Sequence, residues 1–428
     1  MASGKPTCAR TPEATAGRLL CRWKLWLVPG VLSALVTLVL SLLYMGGILA
    51  PADSLHRLPI ALVNADTGVP LAGSRENLGT RISDAITSST PIGDVQWHQV
   101  SRTQAEEQLA SGKVFGALLI PADFTSSVGD LTTGRATVRP TLTVLTNPGK
   151  GSLGSSLAGQ ITQKAARQAS SEIGRRLTSS PALAGASATT RLLLADPVAV
   201  QTQVGHPIRR HTGLGLSAFY YTLLLVLAGF LSANIVHNGV DTSLGYADSE
   251  IGPWHSRRPT VPIDRTQTLL LKMGITAGLT LVTTGLIMLA TIVILGMDAP
   301  HRALLWAFSY CASLSVGLGV QAINAAFGGI GQLVAMFVFI ALALPSSGAT
   351  VPLEAVPGFY RFLGGFEPMR QVADGVRAIL YFDARADAGL TRGWVMIAVG
   401  FVVALVFGLG MTRYYDRKGL RRLVPQPD

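Results

Sequence analysis

The chain is poor in charge. Of its 428 residues only 14% are Asp, Glu, Lys or Arg, where a soluble globular protein carries about 25%. Nearly half, 49%, are hydrophobic, and the mean hydropathy of +0.41 excludes an ordinary soluble enzyme and fits a chain that crosses a membrane repeatedly. Cysteine is scarce. Cys8 and Cys21 precede the first apolar run and Cys311 lies inside a later one, so the long polar segment between 50 and 212 has no disulfide framework. Lysine supplies only 7 of the 35 basic residues, and with abundant Ala and Gly this is the composition of a GC-rich bacterial genome.

Catalytic signatures are missing too. His56, His98, Asp66, Asp84, Asp94, Asp123 and Asp130 are scattered through the polar segment with no metal-ligand spacing such as H-x-x-x-H. His98, beside Trp97 in a strand-like stretch, is read as a half-buried structural histidine. There is no G-x-S-x-G elbow. The run Pro148-Gly149-Lys150-Gly151-Ser152 fails the Walker pattern and is read as a turn. The chain is therefore expected to be no enzyme, to hold no metal or cofactor, and to have no nucleic-acid partner.

What is present is a spacing of apolar runs. One stands near the N-terminus at 25–49; after roughly 160 mostly polar residues come 214–236, 268–296, 303–327, 329–345 and 394–411. Each approaches the length that crosses a ~30 Å hydrocarbon core at 1.5 Å per residue. The expected fold is a polytopic α-helical membrane protein with six transmembrane helices and an α/β domain inserted between the first two. The first run is too long for a signal h-region and no small-x-small site follows it promptly, so it is read as a retained anchor. The division is a basic tail 1–24, helix 1 at 25–49, the α/β domain and a helical linker at 50–212, helices 2–5 at 213–345 with a loop at 237–265, an amphipathic or re-entrant segment at 346–392, helix 6 at 393–412 and a basic tail at 413–428.

Orientation follows from Lys and Arg near span ends. The N-terminal tail has Lys5, Arg10, Arg18, Arg22 and Lys24; the loop has Arg257, Arg258 and Arg265, with Lys272 just inside the third span; the C-terminal tail has Arg413, Arg417, Lys418, Arg421 and Arg422. Six spans put all three on one side, expected to be the cytoplasm of a bacterial inner (plasma) membrane. Residues 348–392 carry five Arg and five acids, no basic excess, and belong outside with the α/β domain. Lys272 is near a cytoplasmic end and can snorkel to the interface. No other formal charge lies within the six runs, which argues against an ion-coupled carrier.

In the polar segment, periodicity predicts strands at 58–64, 95–100, 114–120 and 136–145, and helices at 75–87, after a cap at Ser101 or Thr103, from 121–124 onward, and over 153–177. A further helical run is expected to lead into the second span. Alternating strands and helices imply a small layered α/β domain.

Here the residues resemble a known family. IALVNADTG at 60–68, Leu78-Gly79, Trp97 and GKVFGALLIPADF at 112–124 are similar to the extracytoplasmic domain of the YhgE/Pip (phage infection protein) group of ABC-2 type membrane permeases. The Pro-rich stretch from Leu344-Pro345 through Pro352, Pro357-Gly358-Phe359 and Pro368 to Asp374-Gly375-Val376-Arg377 resembles the permease half. The resemblance covers most of 20–415. It implies a permease subunit exporting a lipid-like or other amphiphilic molecule, in contact with membrane lipid, as a homo- or heterodimer. ATP would be held by a separate nucleotide-binding ATPase subunit, since this chain has no Walker A motif.

In that picture the loop 237–265 docks the ATPase through a coupling helix confined by Pro253, Pro259 and Pro262 to about 241–252, with Asp241, Asp248, Glu250, Trp254, Arg257 and Arg258 as contacts; a plain solvated loop is the alternative. Asn234, Gln321, Asn324 and Gln332 line a cargo path or pack helices together. Pro352, Pro357, Phe359, Glu367 and Pro368 belong to two short helices that form an outer gate, or else a surface pair with no gating role. An envelope scaffold or phage-receptor-like protein without an ATPase is the rival function.

Overall fold

The computed structural model describes residues 23–68, 77–89, 93–132, 139–179, 194–420 and 422. They divide into two units, 1–46 and 47–428. The first contains helix α1, Trp23–Gly46, whose described apolar part is Gly30–Gly46. The basic tail expected at 1–24, with Cys8 and Cys21, lies outside the described residues except for its last two.

The second unit opens with a five-stranded sheet in the order β2-β1-β3-β4-β5: β1 Leu58–Asn64, β2 Val95–Gln99, β3 Gly116–Ile120, β4 Thr141–Thr146 and β5 Ala199–Val204. Only the β3–β4 pair is antiparallel. Helices α2 (Leu78–Ser89), α3 (Arg102–Ala110), α4 (Phe124–Thr132) and α5 (Ser152–Ser179) cover it. Side chains alternate across a strand, so β1 serves both faces. Ala61 and Val63 pack with Ala105, Leu109 and Ala117 beneath α3, while Leu62 joins Ile82, Ile86, Leu118, Phe124, Leu142 and Ile173 on the other side. Each large apolar side chain so buried contributes about 1.5–3 kcal/mol.

The strands at 58–64, 95–99 and 116–120 stand where periodicity places them. Ser101 is the cap of α3, in a reciprocal box with Gln104. One expectation fails: within the stretch taken as helical before the second span, 199–204 is a strand. Its AVQTQV has outward polar residues, and the ladder to β4 supplies the backbone bonds. Residues 133–138, the start of the expected 136–145 strand, are outside the described residues.

The motif Asn64-Ala65-Asp66 is a structural knot. The Asp66 carboxylate accepts from the backbone N–H of Gly79 (2.9 Å) and Thr125 (3.1 Å), from the Thr125 hydroxyl, and from Gly68 N–H (3.3 Å). It thus satisfies orphan donors at the N-termini of α2 and α4 at once. Gly79 is required by the close approach: a Cβ there would stand 2.5 Å from both Asn64 Oδ1 and Asp66 Cβ.

Beyond the sheet, four helical stretches are long and apolar enough to cross a membrane. They are Ser217–Ser243 (α6), Arg265–Ile294 (α7, Arg265–Met288, with a π-helical end), Arg302–Ser346 and Leu390–Arg417. The 45-residue stretch is not one rod. Helix α8 (Arg302–Phe327) ends at Gly328, with φ +60° and ψ −129°, and α9 (Gly331–Met336, continued by irregular turns to Ser346) folds back along it. A continuous helix would separate residues 319 and 339 by about 30 Å; instead the Phe339 ring lies 2.6 Å from where a Cβ on Gly319 would be. The expected spans 303–327 and 329–345 are thus two arms of a hairpin.

Two short helices follow, α10 (Gly358–Phe366) and α11 (Pro368–Tyr381), before α12 (Leu390–Arg417). The second is no surface helix. Val372, Val376, Ile379 and Leu380 are buried with Tyr221, Leu305 and Phe308 in the bundle core, and the Phe308 ring sits against Gly375 and Gly393. The α/β domain rests on this end. Phe382, 2% exposed, fills a slot against Gly112 and Gly149 and stacks on His206 at 5.5 Å.

Asp66→Ala leaves two helix N-termini without their acceptor, and the full chain should lose about 2–4 kcal/mol in thermal unfolding, with tryptic cleavage inside 50–212 appearing first. Asp66→Asn, which keeps one acceptor oxygen, should lose less. Unchanged cleavage in Asp66→Ala would show that the knot is dispensable.

Candidate functional site

At the domain end of the bundle, Pro352 is buried and precedes the short turn Leu353–Ala355, while Pro357 caps α10. Phe359 is exposed, and Phe362 and Phe366 are each 70% exposed. Glu367 is buried at the N-terminus of α11, where it accepts from Met369 N–H at 2.6 Å and Arg370 N–H at 3.3 Å, with Pro368 at the first helical position. Burial pushes its carboxyl up to about 7, against the pull of those two donors. The side chain is therefore neutral in acid and ionises near neutrality. Arg377, 3% exposed, reaches across to the Ala349 carbonyl at 2.7 Å and fixes the loop before α10.

Two ion pairs join this end to the α/β domain, Arg385 with Glu107 and Lys113 with Asp387 at 2.9 Å. Arg385 holds the Glu107 carboxyl below its ordinary range, and Lys113 does the same for Asp387. All four are substantially exposed, so they add little to stability; Phe382 in its slot does more. Tyr381 completes the joint: its hydroxyl meets Ser217 Oγ at 2.7 Å and accepts from Ala218 N–H at 3.0 Å, and its carbonyl lies 3.0 Å from His206 Nε2.

The four amide residues singled out from sequence come together between α6, α8 and α9. Gln321 Nε2 donates to the Ala233 carbonyl (2.9 Å) and to Thr276 Oγ1 (3.0 Å), Asn324 Nδ2 to Asn234 Oδ1 (3.0 Å), and Gln332 Nε2 to Asn238 Oδ1 (3.0 Å). Helix packing is their visible work.

The opposite end holds a group that the sequence reading did not find. Lys272 does not snorkel. It is 3% exposed, and its ammonium lies 2.7 Å from Asp241 Oδ1 and 3.0 Å from His237 Nδ1. A charged lysine donating to Nδ1 leaves the ring proton on Nε2, which faces Asp241 Oδ2 at 3.4 Å. Arg422 arrives from the C-terminal tail, clasps both Asp241 oxygens (2.5 and 2.9 Å) and lies over the Tyr246 ring at 4.7 Å. The i,i+4 spacing of His237 and Asp241 on α6 puts both on the face that meets α7. That spacing was the one local signal available; the lysine and arginine are brought in by tertiary structure.

Asp241 is thus an internal partner, not a free docking residue. The helix expected over 241–252 is also absent: α6 ends at Ser243, and a hairpin follows, β6 Ser249–Ile251 and β7 Trp254–Ser256, turning at Gly252 (φ +59°) and Pro253. Asp248, Glu250, Arg257 and Arg258 are exposed on or beside it, and Trp254 is 75% exposed at its tip.

A cavity of ≈ 300 Å³ lies within the helices, between α8, the returning arm, the start of α11 and α12. Gly319, Phe339, Phe366, Ile397, Gly400 and Phe407 line it, and its one hydroxyl is Ser315. Small residues open it and aromatic rings wall it.

A family model described as protein of unknown function (DUF3533) matches residues 30–400. The chain is also 30% identical over 122 residues to the uncharacterized protein YhgE of Bacillus subtilis (strain 168), a match that covers 28% of this chain and 15% of that protein. No solved structure matches. The chain belongs to the DUF3533 family, of the YhgE/Pip type.

Removing one member of a buried ion pair strands the other. Lys272→Met and Asp241→Ala should each lower the thermal stability of the full chain by about 3–5 kcal/mol, and the double substitution should lose less than the two added. Strict additivity would mean that the pair does not interact.

Proposed function

We propose that this member of the DUF3533 family is the permease subunit of an ABC-2-type exporter. It would pass a lipid-like or other amphiphilic molecule outward across a bacterial plasma membrane, while a separate nucleotide-binding subunit hydrolyses ATP. In this reading the chain catalyses no reaction and two permease subunits, alike or related, frame the path. Six crossings are made by α1, α6, α7, the two arms of the 302–346 hairpin and α12. Both termini and the 244–264 loop face the cytoplasm, in keeping with their Lys and Arg.

The observation that carries the reading is the apolar cavity between the hairpin arms, α11 and α12. An amphiphile needs an apolar pocket of a few hundred Å³ for its tail, next to a polar exit for its head. Phe366 and Pro368 at one edge of this cavity flank Glu367 at the N-terminus of the buried helix α11. Movement of α10 and α11 would open the pocket toward the α/β domain. Coupling would run through the β6–β7 hairpin and exposed Trp254, in place of a coupling helix.

Replacing 249–256 with a Gly/Ser linker should leave the folded permease and its basal partner ATP turnover in place and abolish the stimulation of that turnover by lipid in the reconstituted complex. Retained stimulation would move the coupling surface elsewhere.

A further inference from the structure

Helix α7 carries a row of polar residues on its buried face. Thr268, Lys272, Thr276, Thr280 and Thr284 recur every four residues, each 4% exposed or less. Four-residue steps wind the row slowly round the helix, about 40° at each step, and Lys272 and Thr276 meet α6 and α8. Threonine in a helix usually satisfies itself on the carbonyl one turn back. Thr276 and Thr280 do so at 2.8 and 2.7 Å. Thr284 Oγ1 has no hydrogen-bond partner among the described residues, and neither have Ser313 Oγ or Asn324 Oδ1, all at most 1% exposed, while Gln321 turns its oxygen toward His237.

Ser313, Gln321 and Asn324 follow one another along α8, and Thr284 lies two turns beyond Thr276 on α7. Helices α7 and α8 are antiparallel, and the Thr276 methyl lies 2.9 Å from a Cβ position on Gly317, one turn from both Ser313 and Gln321. From the C-terminal-tail end the order is Asn324, Gln321 with Thr276, then Ser313 and Thr284. Beyond them Ser309 meets the Tyr221 hydroxyl at 2.9 Å, and Ser217, one turn from Tyr221, meets Tyr381. The seam thus runs from the Lys272–Asp241 pair to the joint under the α/β domain. A small cavity of ≈ 50 Å³ lined by His237, Arg265, Lys272, Asn324, Thr412 and Arg422 adjoins its tail end, room for at least one water. Buried polar atoms without protein partners are satisfied by ordered water.

We propose that this seam is a hydrated proton path entered at the Lys272–Asp241–His237 group. A hydronium in the small cavity gives its proton to Asp241 and becomes water. Lys272, released, passes an ammonium proton to the next water of the seam, which becomes hydronium. The neutral amine then takes the proton from Asp241 and restores the ion pair, so one proton has advanced and no group has changed. The charged and titratable side chains facing the group are His237 and Asp241 on α6, Lys272 and Arg265 on α7, Arg422 of the tail over the Tyr246 ring, and on α12 Tyr415, beneath Arg265, and Asp416, which is held by the Arg265 and Thr266 N–H groups and the Thr266 hydroxyl. Helix α8 faces it with uncharged amides. The path does not depend on whether an ATPase docks.

The test is proton entry into liposomes holding the full chain and a trapped pH-sensitive dye, driven by a potassium diffusion potential. Wild type should acidify the lumen several-fold faster than protein-free liposomes. Thr284→Val, which keeps the shape and removes the hydroxyl, should fall toward the protein-free rate, and Thr284→Ser should restore it. Lys272→Met should abolish the flux. A wild-type rate equal to that of protein-free liposomes, or Thr284→Val conducting as well as wild type, overturns the proposal.

Discussion

A lysine inside an apolar helix has to be paired. Taking an ammonium out of water costs several kcal/mol even after relaxation, and only a well-placed counter-charge with further hydrogen bonds offsets it. Lys272 obtains that from Asp241 and His237, and Asp241 is in turn clasped by Arg422. One desolvated charge therefore ties together the end of α6, the start of α7 and the C-terminal tail. The amide contacts of Gln321, Asn324 and Asn234 begin within two turns of it, so this end of the bundle is held by a connected set of polar bonds.

At the domain end steric fit adds to the polar contacts of Tyr381. Phe308 fits against two glycines of α11 and α12, and Phe382 enters a slot that a Cβ on Gly112 or Gly149 would narrow to about 3 Å. The chain segment at 112–124 provides the slot, the Lys113 pair and strand β3 together. This explains why a short run serves as a recognisable motif: each part has a different neighbour to satisfy. The resulting frame has a buried α11 beside an apolar cavity, and α10 with exposed Phe359, Phe362 and Phe366.

Local chemistry made much of this legible. LPIALVN reads as a buried strand because it is apolar on both faces, and a cap at Ser101 or Thr103 announces a helix start, which the structure places at Ser101. Strand β5 was hidden because AVQTQV is polar enough for any secondary structure, and its register partners on β4, Thr141 to Thr146, lie 58 residues away. The burial of Lys272 was hidden for the same kind of reason. His237 is 35 residues from it and Arg422 is 181 from Asp241; proximity to a span end looked like snorkelling. The coupling helix failed on a local signal that was present, since Gly252-Pro253 closes a hairpin turn as readily as it ends a helix. Two short helices were expected between 353 and 382, but that α11 would be core was not visible in a segment so rich in charge.

The account stands or falls on whether this bundle works with an ATPase. Capture of the tagged full chain from its native membrane in mild detergent, with mass spectrometry of everything retained, asks this directly. The account predicts a nucleotide-binding subunit in stoichiometric amount. Retention of other envelope proteins alone, or of nothing, would contradict it and leave the α/β domain as the working part of an envelope scaffold or receptor.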